Sequence, residues 1–464
     1  MFYHFWRRFM NVNTKDKVGA RNWLIFIIIG LAGQLAWSLE NMYLNNYIFD
    51  QGYGDYQSMI TWTTALSAIT ACLTTIFMGG LSDKVGKRKP FIIVGYLLWG
   101  LSTGAFALVD KDNLIALNIV ADVNVAAFTS SILIIILDCV MTFFGSTSND
   151  ACFNSYVTKS VSNKNRGKVE GVLSVLPLLS MLLITVLYSI GVKKDGTDWS
   201  LFFYIVGGFV FVVGLVSIFL FPKETTEKSD EKYFSLLLEG FKPRVIKENK
   251  ILYIILIADF IYCMAAQIFF PYMMIYFSKT LEIVDTNFMI FMGSVLIISA
   301  LLAVFAGRVM DKVSKFKSLI IWVVLFIVGM VMMFFVQKGQ FVFAIISGII
   351  MMFGYIVSGT AINASIREYT PVGKEGSFQG IRMIFQVALP MVTGPLIGEA
   401  IVDNLSNASY VNDFGQTQSL PPNYIWLFAA LALLLVFIPA IILIVRENKN
   451  KKLKNDGIIY DQDK

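Results

Sequence analysis

Gly79-Gly80-Leu81-Ser82-Asp83-Lys84-Val85-Gly86-Lys87-Arg88-Lys89 lies between two long apolar runs. A weaker copy, Gly307-Arg308-Val309-Met310-Asp311-Lys312-Val313-Ser314-Lys315, returns 228 residues later between two more. That spacing is half of the 464-residue chain, so the sequence reads as two homologous halves. Each part of the turn has a physical reason. Gly79, Gly80 and Gly86 permit close approach and tight turning. Asp83 can accept hydrogen bonds from amides exposed at a helix start, or pair with a basic side chain. Lys84, Lys87, Arg88 and Lys89 favour an anionic membrane surface, and Pro90 can open the next helix. A pure topology signal needs only the positive charges, whereas here glycine and aspartate recur with them.

Outside the turns the chain is apolar. Hydrophobic residues make up 56% and charged residues 15%, against roughly a quarter charged in ordinary globular domains. The apolar residues come in blocks of about 20, long enough to cross a bilayer as helices. A barrel would need alternating segments of about 10 residues, which are lacking. A large soluble helical core does not account for so many blocks separated by basic, glycine-containing turns. The net charge of +6 is not gathered into a basic stripe with interleaved aromatics, so no nucleic-acid partner is expected. Cys72, Cys139, Cys152 and Cys263 fall in apolar stretches without metal-ligand spacing and read as buried thiols. The single histidine, His4, reads as part of a solvated tail. No metal site and no cofactor are expected. No P-loop, HExxH or GxSxG motif is present, so neither a nucleotide engine nor an enzyme is expected. The first apolar run is too long for a cleaved signal peptide and should remain as the first span.

Twelve spans are predicted, at 24–48, 56–79, 91–109, 126–157, 169–190, 200–221, 251–277, 285–308, 318–336, 341–366, 378–402 and 423–445. The segment 111–125 reads as an outer loop, a surface helix or part of span 4. With the amino terminus inside, 33 of the 38 basic residues fall on the inner side. Only Lys111, Lys193, Lys194, Lys279 and Lys338 fall outside, a strong positive-inside bias. The expected organisation is therefore an inner tail (1–23), a six-helix bundle (24–221), an inner connector (222–250), a second bundle (251–445) and an inner tail (446–464). In the connector, Tyr233-Phe234-Ser235-Leu236-Leu237-Leu238 reads as an amphipathic surface helix or a tether.

Polar residues inside the spans are the candidate functional groups, because an ionisable side chain at membrane depth is costly without a cavity or partner. On span 1, Gln34, Trp37, Asn41 and Asn45 recur at helical steps on one face. Amides that both donate and accept, beside an indole, suit a hydroxyl-rich solute, and helix–helix contacts are the alternative use. Glu40 is turned about 40° from them and could carry a proton or cation or pair in the interior. Span 4 offers Asp138, then Ser146, Ser148, Asn149, Asp150 and Asn154, with Asp150 and Asn154 on one face. Asp150 reads as a substrate or coupling-ion contact or a tie between bundles. Asp138 is the weaker candidate, either in the apolar middle of the span or near its outer end. In the second half, Asp259, Tyr262 and Gln267 stand on span 7 before Phe270-Pro271-Tyr272, a predicted kink. Span 10 adds Asn363, with Arg367 and Glu368 at its inner end. Span 11 adds Gln379, Arg382, Gln386 and Glu399. Its Gly394-Pro395-Leu396-Ile397-Gly398 permits bending or close helix contact.

The Gly79–Arg88 turn resembles the G-x-x-x-D-[RK]-x-G-[RK]-[RK] motif between helices 2 and 3 of the major facilitator superfamily, and the second copy falls between helices 8 and 9 as in that family. The resemblance implies an all-α membrane protein of twelve transmembrane helices in two pseudo-symmetric six-helix bundles, the major facilitator fold. It also implies that Asp83 belongs to a charge network that latches the bundles on the cytoplasmic side, with Gly79, Lys84, Gly86 and Arg88 around it. Arg166 or Glu170 could supply partner charges. The second latch, at Asp311, is expected to be looser because Ser314 replaces a glycine.

Within the superfamily, Asn41-Met42-Tyr43-Leu44-Asn45-Asn46-Tyr47 and the segment 144–171 look most like the glycoside–pentoside–hexuronide cation symporters and the related sucrose–proton carriers. Asp150, Asn154 and Arg166 stand roughly where that branch has a sugar-binding aspartate before a basic inner loop. Two departures stand out: the helix-1 aspartate is replaced, nearest to Gln34, and span 2 between Thr61 and Thr75 lacks the paired aspartates that hold a cation.

The expected function is thus alternating-access secondary transport of a small solute, a sugar or glycoside, across the cell membrane by a multi-pass monomer with both termini cytoplasmic. Expected solute contacts are Gln34, Trp37, Asn41, Asn45, Asp150, Asn154, Gln267 and Asn363. Coupling falls to protons on Glu40, Asp150 or Asp259 rather than to Na+. The competing expectation is a multidrug or lipophile exporter, whose adaptable pocket the 20 methionines could line. A non-transporting receptor or assembly protein is a further alternative.

Overall fold

The apolar blocks become helices that are long enough, by length and composition, to cross a bilayer: eleven among the described residues, with one shorter apolar helix between the fourth and fifth of them. The computed structural model describes residues 18–161, 169, 172–173, 175–191, 199–222, 241–310, 315–371, 375–411, 415 and 417–455. In chain order the helices are α1 (Ala20–Asp50), α2 (Tyr56–Val85), α3 (Lys89–Leu108), α4 (Val123–Thr158), α5 (Leu176–Gly191) and α6 (Ser200–Leu220). The second half repeats the series as α7 (Lys250–Thr280), α8 (Asp285–Met310), α9 (Lys315–Phe334), α10 (Phe341–Tyr369), α11 (Gly380–Leu405) and α12 (Tyr424–Lys449). This is the all-α fold of two six-helix bundles.

Local chemistry places the ends. Gly86 closes α2 at φ 73°, a left-handed conformation that disfavours a side chain, and its amide donates to the Ser82 carbonyl at 3.0 Å. Pro90 then sits in the first turn of α3, where no backbone donor is missed. Segment 111–125 splits into a short helix, Lys111–Ala116, and the capped start of α4, where Asp122 accepts from the amides of Asn124 and Val125. The Pro271 kink of α7 takes the form of a 3-10 turn, Phe270–Tyr272. Among the described residues four helices carry a wide π-helical stretch: Glu40–Leu44 in α1, Ser146–Phe153 in α4, Tyr276–Thr280 in α7 and Ile384–Ala388 in α11.

Each half packs on itself, α3 against α6 and α9 against α10 most extensively, while α2 meets α11 and α5 meets α8 across the halves. Outward faces are apolar. Phe219 is 82% exposed and Val342 68%, a display that water would penalise and lipid tails accept. The loop between α11 and α12 folds into a two-stranded antiparallel hairpin, Ser409–Val411 with Thr417–Ser419. Arg166, Asp311 and the Tyr233–Leu238 segment lie outside the described residues, and Asp83 is described only in its backbone.

Candidate functional site: a polar cavity between the halves

A cavity of about 260 Å³ lies between the bundles. From α1 it is lined by Gln34, Trp37, Glu40, Asn41 and Asn45, and from α7 by Gln267, Phe270 and Pro271. α2 contributes Thr63, Thr64 and Ser67, α4 contributes Asp138, and Tyr355 and Met391 close the wall from α10 and α11. The 3.6-residue period of α1 explains how Gln34, Trp37 and Asn41 reach one wall. Glu40, at the start of the π-helical stretch Glu40–Leu44, lines the cavity from its own phase, on the side where Ser67 and Thr142 meet it.

Neighbours hold these groups in place. The Trp37 ring lies against Trp99, with centroids 5.0 Å apart, and Asn41 commits one amide hydrogen to the Trp37 carbonyl at 2.8 Å. Gly394 allows α11 to touch α7, since a Cβ there would fall 2.4 Å from the Cβ of Gln267. The deepest polar contact joins three helices. Ser67 donates to Glu40 Oε1 at 2.6 Å and lies 2.9 Å from the Thr142 hydroxyl.

Several expected site residues stand elsewhere. Asp150 accepts from Ser146 at 3.0 Å within the π-helical stretch of α4 and is not part of the cavity lining. Asn154 is exposed on the next turn, where the hydroxyl of Thr158 donates to its carbonyl. Asn363 receives Arg382 Nη2 at 2.7 Å and Gln386 Nε2 at 3.3 Å, forming a separate polar knot between α10 and α11. Asp259 is buried, accepts weakly from the Cys263 thiol at 3.7 Å and lies within electrostatic reach of Arg382. Of the residues at the Gly79 turn, Gly79 and Arg88 are buried and Lys84 is exposed.

The span-2 hydroxyls and Asp138 gain importance that sequence reading did not give them. Thr and Ser inside a helix usually bond their own backbone, as Thr63 does to the Met59 carbonyl at 2.7 Å, so their type alone carries no functional signal. A hydroxyl-rich run in a span without carboxylates, Thr61 to Thr75, was the available clue.

The mouth on the basic-poor face is closed by contacts between the halves. Gln418 of the hairpin, fully buried, donates to the carbonyls of Phe49 at 3.1 Å and Tyr53 at 3.2 Å. The Tyr56 hydroxyl donates to the Ser419 carbonyl at 2.6 Å, and Ser58 donates to Glu399 at 2.7 Å. Lys279, at the end of α7, lies over the rings of Tyr410 (4.7 Å) and Phe49 (5.8 Å). Beside them, Lys111 and the Trp199 indole hold the end of α1 through Asp50. Gln51 binds Asp110 at 3.2 Å, and burial pushes that loop carboxyl above its ordinary range.

Among protein families, the chain matches the Major Facilitator Superfamily over residues 23–390 and, in an overlapping second match, 255–458. Its fold resembles the nucleoside transporter NupG (TM-score 0.66, 13% identity, covering 91% of this chain and 98% of that one). It also resembles the xylose transporter XylE from E. coli in a partially occluded inward-open conformation (TM-score 0.64, 12% identity, 89% and 96% covered). A D-xylose-proton symporter gives a TM-score of 0.65 at 13% identity over 90% of this chain and 97% of that one. No curated protein matches the chain in sequence. The assignment to the glycoside–pentoside–hexuronide and sucrose–proton branch is therefore corrected: the similar solved structures include a nucleoside and a xylose transporter. The reason is physical as well as statistical. The helix-1 polar segment that carried the branch resemblance contains a π-helical stretch, so its spacing reflects local helix geometry as much as branch identity.

Proposed function

The chain belongs to the major facilitator superfamily, and from that premise we propose that it carries a small polyhydroxylated solute, a sugar, glycoside or sugar-bearing molecule, together with protons. It is a membrane transporter and not an enzyme. The observation that carries the substrate reading is the cavity wall of amides at Gln34, Asn41, Asn45 and Gln267 around the Trp37 indole. Amides pair with hydroxyls as donor and acceptor at once, and an indole face stacks on the apolar side of a sugar ring. Nucleosides and xylose, carried by proteins of similar fold, both present ring hydroxyls.

Alternating access would expose this cavity to either side by rocking the bundles. The 33-to-5 distribution of basic residues supports a cell-membrane orientation with both termini in the cytoplasm. The Gly79–Lys89 turn then serves as the inner latch, with Asp83 at its centre and Arg166 or Glu170 as its partner, and Asp311 belongs to a second, looser latch. Protons ride on buried carboxylates, with Asp150 as the principal carrier, Glu40 at the cavity wall and Asp259 on α7 outside the cavity lining. The chain acts as a monomer, each copy holding its own cavity.

The test is uptake into vesicles with and without a proton gradient, using a panel of sugars, glycosides and nucleosides. Asp150→Asn is expected to lose gradient-driven accumulation while keeping solute exchange. Wild-type accumulation by that variant overturns the proton assignment, and failure of every hydroxylated solute to bind overturns the substrate class. A second reading, export of lipophiles, draws on one observation. Met42, Met181 and Phe270 belong both to the polar cavity and to an adjoining apolar pocket lined by Met273, Met292 and Met351. Binding of lipophilic cations in preference to sugars would favour it.

A further inference from the structure

Two carboxylates meet at the cavity wall without a basic partner in their described surroundings. Asp138, in the middle of α4, is 0% exposed and neither of its oxygens has a hydrogen-bond partner. Glu40, in the π-helical stretch of α1, is 7% exposed. Its Oε1 is taken by Ser67 at 2.6 Å and Thr142 at 3.4 Å, and its Oε2 has no partner. Three oxygens of formally anionic groups are thus unsatisfied in one buried place that adjoins a cavity.

The hydroxyls around them donate to one oxygen of Glu40 and keep lone pairs of their own. Ser67 gives its proton to Glu40, and Thr63 gives its proton to the Met59 carbonyl, which leaves lone pairs for the cavity. Glu40 and Asp138 repel one another, and Asp150 adds to the repulsion at Glu40. Among the described residues, no basic group figures in the electrostatics of either carboxylate.

A single proton shared by the pair would satisfy two of the three oxygens at most. A small hard cation can engage all three together with hydroxyl oxygens, the ligand type such ions prefer. No cluster of three or more His, Cys, Asp or Glu forms among the described residues, so the ligand set is poor for a divalent ion. We infer that Glu40 and Asp138, with the hydroxyls of Ser67 and Thr142, form a binding site for one Na+ ion at the junction of α1, α2 and α4. The site goes beyond proton coupling at Asp150, from which Asp138 is separated by about 18 Å of helix at about 1.5 Å per residue.

The experiment is thermal unfolding of the purified full chain, without solute, in NaCl against choline chloride at constant ionic strength and fixed pH. Binding to the folded protein raises the unfolding temperature with saturation. Wild type is expected to show a saturable Na+-specific rise. Asp138→Asn and Glu40→Gln should each weaken apparent Na+ affinity at least tenfold, whereas Asp112→Asn, an exposed carboxylate of the short helix Lys111–Ala116, should leave it unchanged. Ser67→Ala keeps both carboxylates and is expected to weaken Na+ severalfold, so it decides the matter where the other variants fail to fold. Equal unfolding in Na+ and choline, a response to pH alone, or undiminished Na+ affinity in Ser67→Ala or in both carboxylate variants overturns the site. Because no solute is present, a negative result here leaves the substrate reading intact, and failure of the vesicle test leaves this one intact.

Discussion

Replacing Gln418 with alanine should loosen the closed mouth of the transporter by an amount that can be worked out from two hydrogen bonds. The side-chain amide of Gln418 is fully buried and bridges the carbonyls of Phe49 and Tyr53, thereby tying the hairpin of the second half to the end of α1 and the loop after it. The Phe49 carbonyl keeps a second donor, the Gly52 amide at 3.0 Å, so the substitution does not strand both acceptors. At a net value of about 0.5–1.5 kcal/mol for each bond, the closed form loses about 1–3 kcal/mol. The ratio of closed to open mouths then falls about 5- to 150-fold. The assay is modification of a cysteine placed at Asn41, in the cavity wall, by a membrane-impermeant maleimide added to intact cells. The background is a chain carrying Asn41 itself, since Cys72, Cys139, Cys152 and Cys263 are natural thiols. The labelling rate should rise by a factor within that range in the Gln418→Ala background. An unchanged rate, with the variant folded and inserted, would refute the idea that this hairpin seals the mouth.

Three further perturbations test other parts of the structure. Gly394→Ala puts a methyl group 2.4 Å from the Gln267 Cβ, so α7 and α11 must separate at a cost of about 1–3 kcal/mol, and solute affinity should fall with the unfolding temperature; a neutral result in both would refute the close contact. Asp110→Asn removes a charge that burial disfavours. The wild-type carboxyl titrates above its ordinary 3.8 in the folded protein, so wild-type stability is fully present below that value and is lost as pH rises through the raised pKa. The variant should lack that slope and match or exceed wild type at neutral pH in thermal scans. Asp83→Ala should slow solute exchange more than it weakens equilibrium solute binding, and an affinity loss with unchanged exchange would count against the latch.

The number of spans was legible because bilayer thickness fixes the length of each apolar block, and the turn at Gly86 and Pro90 was legible because left-handed backbone and helix starts select those residues. The loop hairpin was not. Ser409–Val411 and Thr417–Ser419 are three-residue strands whose pairing rests on Gln418 and on the end of α1, contacts more than 360 residues apart that leave no local pattern. At the cavity, the periodicity of Gln34 and Trp37 was visible, since regular helix holds up to Leu39. The pairing of Glu40 with Asp138 was not, because it joins two helices across 98 residues and nothing in the pattern of either span points to the other. Branch identity was the least legible feature: short polar segments can agree in spacing while the remaining cavity walls differ.

The wide turns in α1, α4, α7 and α11 give each of these helices one residue of slack. If such a turn migrates by one residue, the side chain it passes changes phase by about 100° while the helix keeps its ends and almost its length. Gln34 and Trp37 lie before the wide turn of α1, and Asn45 lies after it. A step of the wide turn toward the carboxyl end therefore takes in Asn45 and rephases that one side chain against Gln34 and Trp37. A rigid rocking bundle lacks this freedom, so the cavity can be re-lined around a bound solute without unpacking the helices that enclose it.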